Sequence, residues 1–284
     1  MRLILVPTAN RPECAIALDV AFRLAAEAGA NVSACHVRAE RREEKSVVDE
    51  LLPQDVYELT ETSATRAPLT SKTAHDLYER LAKRHGFTLA KRPVPGRRSR
   101  ALWHEMVGAP SRVFGIVGPV ADLAIASRPK PKSAGRAKTF LLAALLHTSK
   151  PVLVVPQRRL ASIGKRIVIA WNQSPEAALA VSAALPLLKR AEHVVVVSCG
   201  PENRAGPKAT YLQQYLANWD VKAERMRTKG RNAEKELEQA YRNAAGDLLV
   251  MGAYSRPRLR ELIFGGVTEH MLFHTELPVL MLHR

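Results

Sequence analysis

The chain writes one strand–helix pattern twice, and that repetition narrows the folds open to it. Leu3-Ile-Leu-Val-Pro-Thr-Ala-Asn-Arg-Pro-Glu aligns with Arg166-Ile-Val-Ile-Ala-Trp-Asn-Gln-Ser-Pro-Glu. Asp122-Leu-Ala-Ile-Ala-Ser-Arg-Pro aligns with Asp247-Leu-Leu-Val-Met-Gly-Ala-Tyr, and Lys150-Pro-Val-Leu-Val-Val-Pro with Leu277-Pro-Val-Leu-Met-Leu-His. The apolar runs are Val, Ile and Leu without polar alternation, the pattern of strands covered by helices on both faces of a parallel sheet. Strand–helix alternation then gives an open, doubly wound α/β fold with right-handed crossovers.

In the second half the spacing predicts strands at 166–170, 193–198, 222–227, 247–251 and 279–282. Helices are expected over 176–190, 208–219 and 232–245 and from about residue 266. The first half predicts strands at 2–6, 31–36, 101–107, 122–127 and 151–155, with helices at 12–28, 69–85 and 137–147. It carries roughly 36–38 extra residues between its second and fourth strands, including a charged segment at 39–54. Two domains are expected, at 1–157 and 163–284, joined by a short linker. The strands at 151–155 and 278–282 could pair intramolecularly, which would pack the domains as a pseudo-dimer and protect both edges.

No apolar run approaches the ~18–20 residues that span a bilayer, so no membrane insertion is expected. The apolar run before Pro7 is only four residues, Leu3–Val6, too short for a secretory signal, and the first strand explains it better. Cys14, Cys35 and Cys199 are scattered with no CxxC spacing, which suggests core thiols and a cytoplasmic location. A net charge of +16 biases the chain toward polyanions. The densest basic groups, Arg97-Arg98-Ser-Arg100 and the stretch from Arg128 to Lys138, lack interleaved aromatics. Aromatics make up 5%, so stacking platforms for single strands are scarce and nucleic acid is not the expected partner.

The most informative segment runs from Asp247 through the Gly252 turn, a loop with Arg256, Arg258 and Arg260, and Gly265-Gly266-Val-Thr. A doubly wound sheet brings the ends of its first and fourth strands together where strand order reverses. Asn172, Gly252 and the Gly265-Gly266 helix start are therefore expected to meet at one sheet edge. Glycine accepts a positive φ and lets a phosphate approach the main chain. The helix start offers unpaired N–H groups and a positive dipole end. An equally available reading makes the glycines turn residues and leaves the arginines solvated.

These segments resemble the universal stress protein (UspA) family in its tandem two-domain form, over essentially the whole chain and most strongly in the second half. The family's nucleotide loop reads Gly-x-x-Gly, nine residues, then Gly-Ser or Gly-Thr. Gly252 matches the first glycine, Ser255 stands at the second, and nine residues lead to Gly265. Gly266 takes the place of the hydroxyl residue and Val267 follows as in the family. The resemblance implies ATP, with magnesium, as the ligand. It also implies an aspartate after the first strand, where this chain has Asn172, and an adenine contact through the backbone at Cys199. Ser255 brings a Cβ to a turn that glycine takes more readily, a mismatch of ~1 kcal/mol. Gly266 loses a hydroxyl but keeps its N–H; Thr268 reads first as an ordinary first-turn helix residue and only second as a replacement source of that hydroxyl. In the first half the loop reads Arg128-Pro-Lys-Pro-Lys-Ser-Ala-Gly-Arg and Ala9 stands where Asn172 stands, so no family-type site is expected there.

No Walker motif, Gly-x-Gly-x-x-Gly, Gly-x-Ser-x-Gly elbow or Ser-Gly-Gly-x-Asp-Ser loop occurs. His270 and His274 are spaced i, i+4 but lack the glutamate and third ligand of a zinc site, and read as exposed helix histidines. The expectation is a stress-response binding or regulatory module and not an enzyme, with slow ATP hydrolysis the weakest option. An adenine nucleotide in the second domain is the leading reading. The alternative is a protein-interaction module on the same fold with an unidentified protein partner. A homodimer is compatible with either.

Overall fold

The computed structural model describes residues 1–8, 12–38, 67–129, 135–253 and 266–283. It divides into two compact units, Met1–Arg159 and Leu160–Arg284.

The second unit runs β7 (Arg166–Ala170), α5 (Pro175–Leu188), β8 (His193–Cys199), α6 (Ala209–Ala217), β9 (Glu224–Thr228), α7 (Ala233–Asn243), β10 (Leu248–Gly252), α8 (Gly266–Phe273) and β11 (Val279–Leu282). Its strands lie in the order β11-β10-β7-β8-β9, all parallel. The order reverses between β10 and β7, so the switch point falls at the ends of those two strands. Ile167, Val168 and Ile169 of β7 and Leu248, Leu249 and Val250 of β10 are all buried, which explains their unbroken apolar runs.

The first unit repeats this plan with one strand more. It holds β1 (Leu3–Thr8), α1 (Pro12–Ala28), β2 (Asn31–Arg38), α2 (Ala67–Arg84), β3 (Thr88–Ala90), β4 (Arg100–Val107), α3 (Pro110–Val117), β5 (Leu123–Ser127), α4 (Gly135–His147) and β6 (Val152–Val155). The strand order is β3-β4-β2-β1-β5-β6, again parallel. Neither β3 nor α3 was expected from sequence. β3 has three residues, two of them exposed, and so shows no apolar run. α3 has eight residues, with a glycine inside and a Gly-Pro pair just after it.

The matched aspartates do the same work in both copies. Asp247 accepts from the backbone N–H of Gly164, Lys165 and Arg166 at 3.0, 3.1 and 2.9 Å, tying the start of β10 to the start of β7. Asp122 accepts from the N–H of Arg2 and Leu3, tying β5 to β1. Burial alone would push the Asp122 carboxyl up, but these N–H donors and the nearby positive charges hold it below its usual value.

α2 is anchored by Tyr78, which is fully buried against Phe22 and Trp103. Its hydroxyl donates to the carbonyls of Val32 at 3.0 Å and Leu102 at 2.8 Å, so one side chain spans β2 and β4. Burial pushes the phenol's pKa up. Tyr78→Phe removes the donor and keeps the ring. We expect it to lower the unfolding free energy of the first unit by about 1–2 kcal/mol in urea denaturation, with an unchanged m-value.

Candidate functional site

The site forms at the C-terminal edge of the second sheet, where the register brings the predicted residues together. Met251 pairs with Ala170, so Gly252 stands level with Trp171 and one residue short of Asn172. Ala170 pairs with Val197, which places Asn172 level with Cys199. Asn172, Cys199 and Gly252 therefore share one edge. Gly266 and Val267 open α8, which packs on α7. Ser255, Gly265, the three arginines and Ala9 lie outside the described residues.

Asn172 is exposed, and its Oδ1 accepts from the N–H of Ser174 at 3.2 Å. Ser174 is the N-cap of α5, with Oγ accepting from Ala177 N–H at 3.1 Å, and Pro175 follows at the first helical position. The turn after β7 thus satisfies its own donors. Gln173 lies inside it at φ 61°, an uncommon conformation for a side chain of this size. Its amide braces the loop after β8: Nε2 donates to the carbonyls of Arg204 at 3.2 Å and Gly206 at 2.9 Å, and Oε1 accepts from Arg204 N–H at 3.1 Å. Trp171 adds a bond from its indole N–H to Pro207 O at 2.9 Å. Gly206 lies so close to Gln173 that a Cβ there would come 2.0 Å from its carbonyl oxygen. Sequence reading missed this brace, because the spacing between 173 and 204–206 carries no motif.

Gly252 is required for close approach and not for a left-handed turn. It is absent from the positive-φ glycines among the described residues. A Cβ at 252 would come 2.5 Å from Ala177 N and 2.6 Å from the carbonyl carbon of Glu176. The space that glycine opens is filled by the first turn of α5 itself.

Cys199 ends β8 with its Sγ turned toward Ala233 O, 4.0 Å away. Burial pushes the thiol's pKa up; a hydrogen bond with Thr228 opposes this and the charge of Glu236 adds to it. The thiol is therefore a poor nucleophile, and the resemblance used only the backbone at this position. Cys14 and Cys35 are buried and in no disulfide among the described residues, with the Cys35 thiol pushed to about 12 by burial.

Carboxylates surround this edge. Glu202 accepts from Ser198 Oγ and from Ala209 N–H, both at 2.9 Å, and pairs with Arg227 at 3.4 Å. Desolvation would raise its pKa, but those donors lower it on balance. Glu236 accepts from Thr228 Oγ1 and from the N–H groups of Gly230 at 2.8 Å and Arg231 at 2.9 Å. From the head of α7, Glu234 reaches the head of α8: a Cβ on Gly266 would come 2.7 Å from its Oε1. One turn further on, Glu238 meets His270 at 2.8 Å. The two helices therefore run side by side with a carboxylate from α7 over each turn of α8. His270 is a partnered interfacial residue, not the exposed histidine expected from sequence. Thr268 is 7% exposed and faces the interior, so it is an ordinary first-turn residue and not a replacement hydroxyl. Among the described residues no three His, Cys, Asp or Glu side chains converge as metal ligands, and no helix is long and apolar enough to cross a membrane.

Residues 164–283 match the family model described as the Universal stress protein family. No curated protein sequence matches the chain. Among solved structures, a universal stress protein from Archaeoglobus fulgidus aligns over 99% of this chain and 98% of its own, with TM-score 0.71 and 12% identity. A putative universal stress protein from Pseudomonas aeruginosa UCBPP-PA14 aligns over 99% and 93%, with TM-score 0.56 and 15% identity. A functionally unknown protein from Pseudomonas aeruginosa PAO1 aligns over 99% and 92%, with TM-score 0.58 and 15% identity. At these identities the likeness shows the fold.

Two outcomes follow from the geometry. Gly252→Ala drives a Cβ into the first turn of α5 and should lower the stability of the second unit by about 1–3 kcal/mol, read by urea denaturation. Glu236 is held at about 2, below the usual 4.5, by the Thr228 hydroxyl and the Gly230 N–H ahead of other donors. A carboxylate with a depressed folded pKa contributes stability that is full above its unfolded pKa and is lost as pH falls through the folded one. Glu236→Gln should therefore melt below the parent at pH 7, with the gap in Tm closing as pH falls from about 4.5 toward 2.

Proposed function

We propose, from the premise that residues 164–283 belong to the universal stress protein family, that the chain is a stress-response binding module and not a catalyst. In this reading the second domain, placed at 163–284, holds an adenine nucleotide at the edge formed by β7, β8 and β10. The observation that carries it is the meeting of Asn172, Cys199 and Gly252 at the switch point, where α/β sheets take ligands. The backbone at Cys199 would face the base, and the Asn172 amide a ribose hydroxyl. Gly265, Gly266, Val267 and Ser255 would form the phosphate side of the site. The first domain, placed at 1–157, has no equivalent glycine loop and would remain empty.

One feature favours the second reading, a protein-interaction module on the same fold. Glu234 already sets a carboxylate beside the first residue of α8. A negative charge at a helix N-terminus satisfies the helix dipole and repels a phosphate that would occupy the same end. The same carboxylate sits where a side chain at 266 would project, so a larger residue there would make Glu234 swing aside. Within the nucleotide reading, ligands with fewer phosphates are then preferred, and any magnesium would arrive with the phosphates.

Calorimetric titration with adenosine, AMP and ATP tests the pair of readings. The nucleotide reading expects binding by the parent and an ATP affinity raised about 5–10-fold in Glu234→Gln, the scale of one removed charge near the surface. Adenosine affinity should change little. An absence of binding by all three ligands to both proteins overturns it in favour of the interaction module.

A further inference from the structure

The first unit carries a cationic hollow at the edge of its sheet opposite the one where doubly wound folds take ligands. Arg2, Asn31 and Arg100 precede or begin β1, β2 and β4, Gly29 follows α1, and Gly96, Arg97 and Arg98 lead into β4. All therefore stand at the N-terminal ends of the strands. Arg2, Gly29, Asn31, Gly96, Arg97 and Arg98 line a cavity of about 260 Å³, enough for a phosphate group. Among the described residues its walls contain guanidiniums and no carboxylate. Gly29 and Gly96 have φ of 59° and 74°, and open space lies where a Cβ on Gly96 would be. Arg98 lies across Gly29, with Nη1 3.4 Å from where a Cβ would be.

The cavity belongs to a wider bias. Between Glu79 and Glu105 the sequence holds eight Lys or Arg and no Asp or Glu. Lys83 and Arg84 end α2 at this same edge and are exposed, as are Arg97 and Arg98. Among the described residues none of these side chains has an ion-pair partner, whereas nearby Arg23 pairs with Asp19. Among the described residues two carboxylates stand at this edge. Asp122 is committed to the N–H of Arg2 and Leu3, and Glu27 lies on the last turn of α1.

We infer that this edge binds the phosphate backbone of double-stranded nucleic acid without reading its sequence. Arginine predominates over lysine, and its planar fork matches phosphate oxygens. A protein partner would need a buried aromatic or aliphatic anchor, and the exposed apolar residues here are the scattered Leu89 and Val94. A single strand would need stacking rings, and the loop from 91 to 99 has none. What remains is electrostatic recognition of a regular array of phosphates, which fixes position and carries no base information. This surface belongs to the first unit, at the N-terminal ends of its own strands, and does not depend on the nucleotide reading of the second.

The test is fluorescence anisotropy of the full chain with a labelled 20-base-pair duplex across 25–200 mM salt. Three proteins are compared: the parent, Arg84→Gln with Arg97→Gln, and a control with equal loss of charge in the second unit, Lys222→Gln with Arg225→Gln. All four side chains are exposed, so each variant should fold. The parent should bind duplexes of unrelated sequence equally. The first variant should bind about 10-fold more weakly at 50 mM salt, and its salt slope should be shallower by about two, one for each phosphate no longer neutralised. The control should keep the parent's slope. An equal loss in the control, or no duplex binding at 50 mM salt, overturns the inference. So does tighter binding to vesicles of anionic lipid than to duplex, with the same dependence on Arg84 and Arg97.

Discussion

The close approach of β10 to the first turn of α5 governs the second half of this protein. Gly252 is the residue that permits it. A Cβ there would fall 2.5 Å from Ala177 N, so any larger residue pushes the helix head away from the sheet. With the helix in place, Ser174 caps it, Asn172 caps the turn before it, and Gln173 braces the loop after β8. Three neighbouring strand ends are thereby locked into one surface. The rigidity of the candidate site comes from this chain of contacts, and the glycine that looked like a ligand contact in sequence works first as a packing residue.

The two halves show what duplication retains and what it releases. Both keep an aspartate that ties the fourth strand of the pattern to the first, because the strand starts need their N–H groups satisfied. The ligand edge has no such obligation. In the first unit β1, the counterpart of β7, ends at Thr8, paired in register with His36 of β2, the counterpart of β8. Both residues are almost fully buried, and the sequence after β5 holds no glycine loop. Burial lowers the pKa of His36, so that edge favours a neutral ring. Meanwhile this unit acquired an extra strand, β3, and with it the basic loop that returns to β4.

The sheets were legible because parallel strands buried on both faces leave unbroken Val-Ile-Leu runs, and the helices because Pro175 and Asn232 mark their starts. β3 was not legible: it owes its place to pairing with β4, since Thr88 and Leu89 bury little. At the candidate site, topology read from the sequence put Asn172 and Gly252 at one edge, because it brings strand ends together, and the resemblance added Cys199. It did not foresee the packing role of Gly252 or the partnered setting of His270, which depend on contacts between elements far apart in sequence. Glu234 and Gln173 were invisible for the same reason. Each acts on a residue about thirty or more positions away.

One sheet edge of the second unit, and not its counterpart in the first, is the proposed ligand site. Hydrogen exchange measured by mass spectrometry on the full chain, with and without saturating AMP, addresses it most directly. Slower exchange is expected at residues 171–175 and 199–201, with no change at 6–8 and 36–38. Protection confined to the first unit, or none anywhere in the chain, would contradict it.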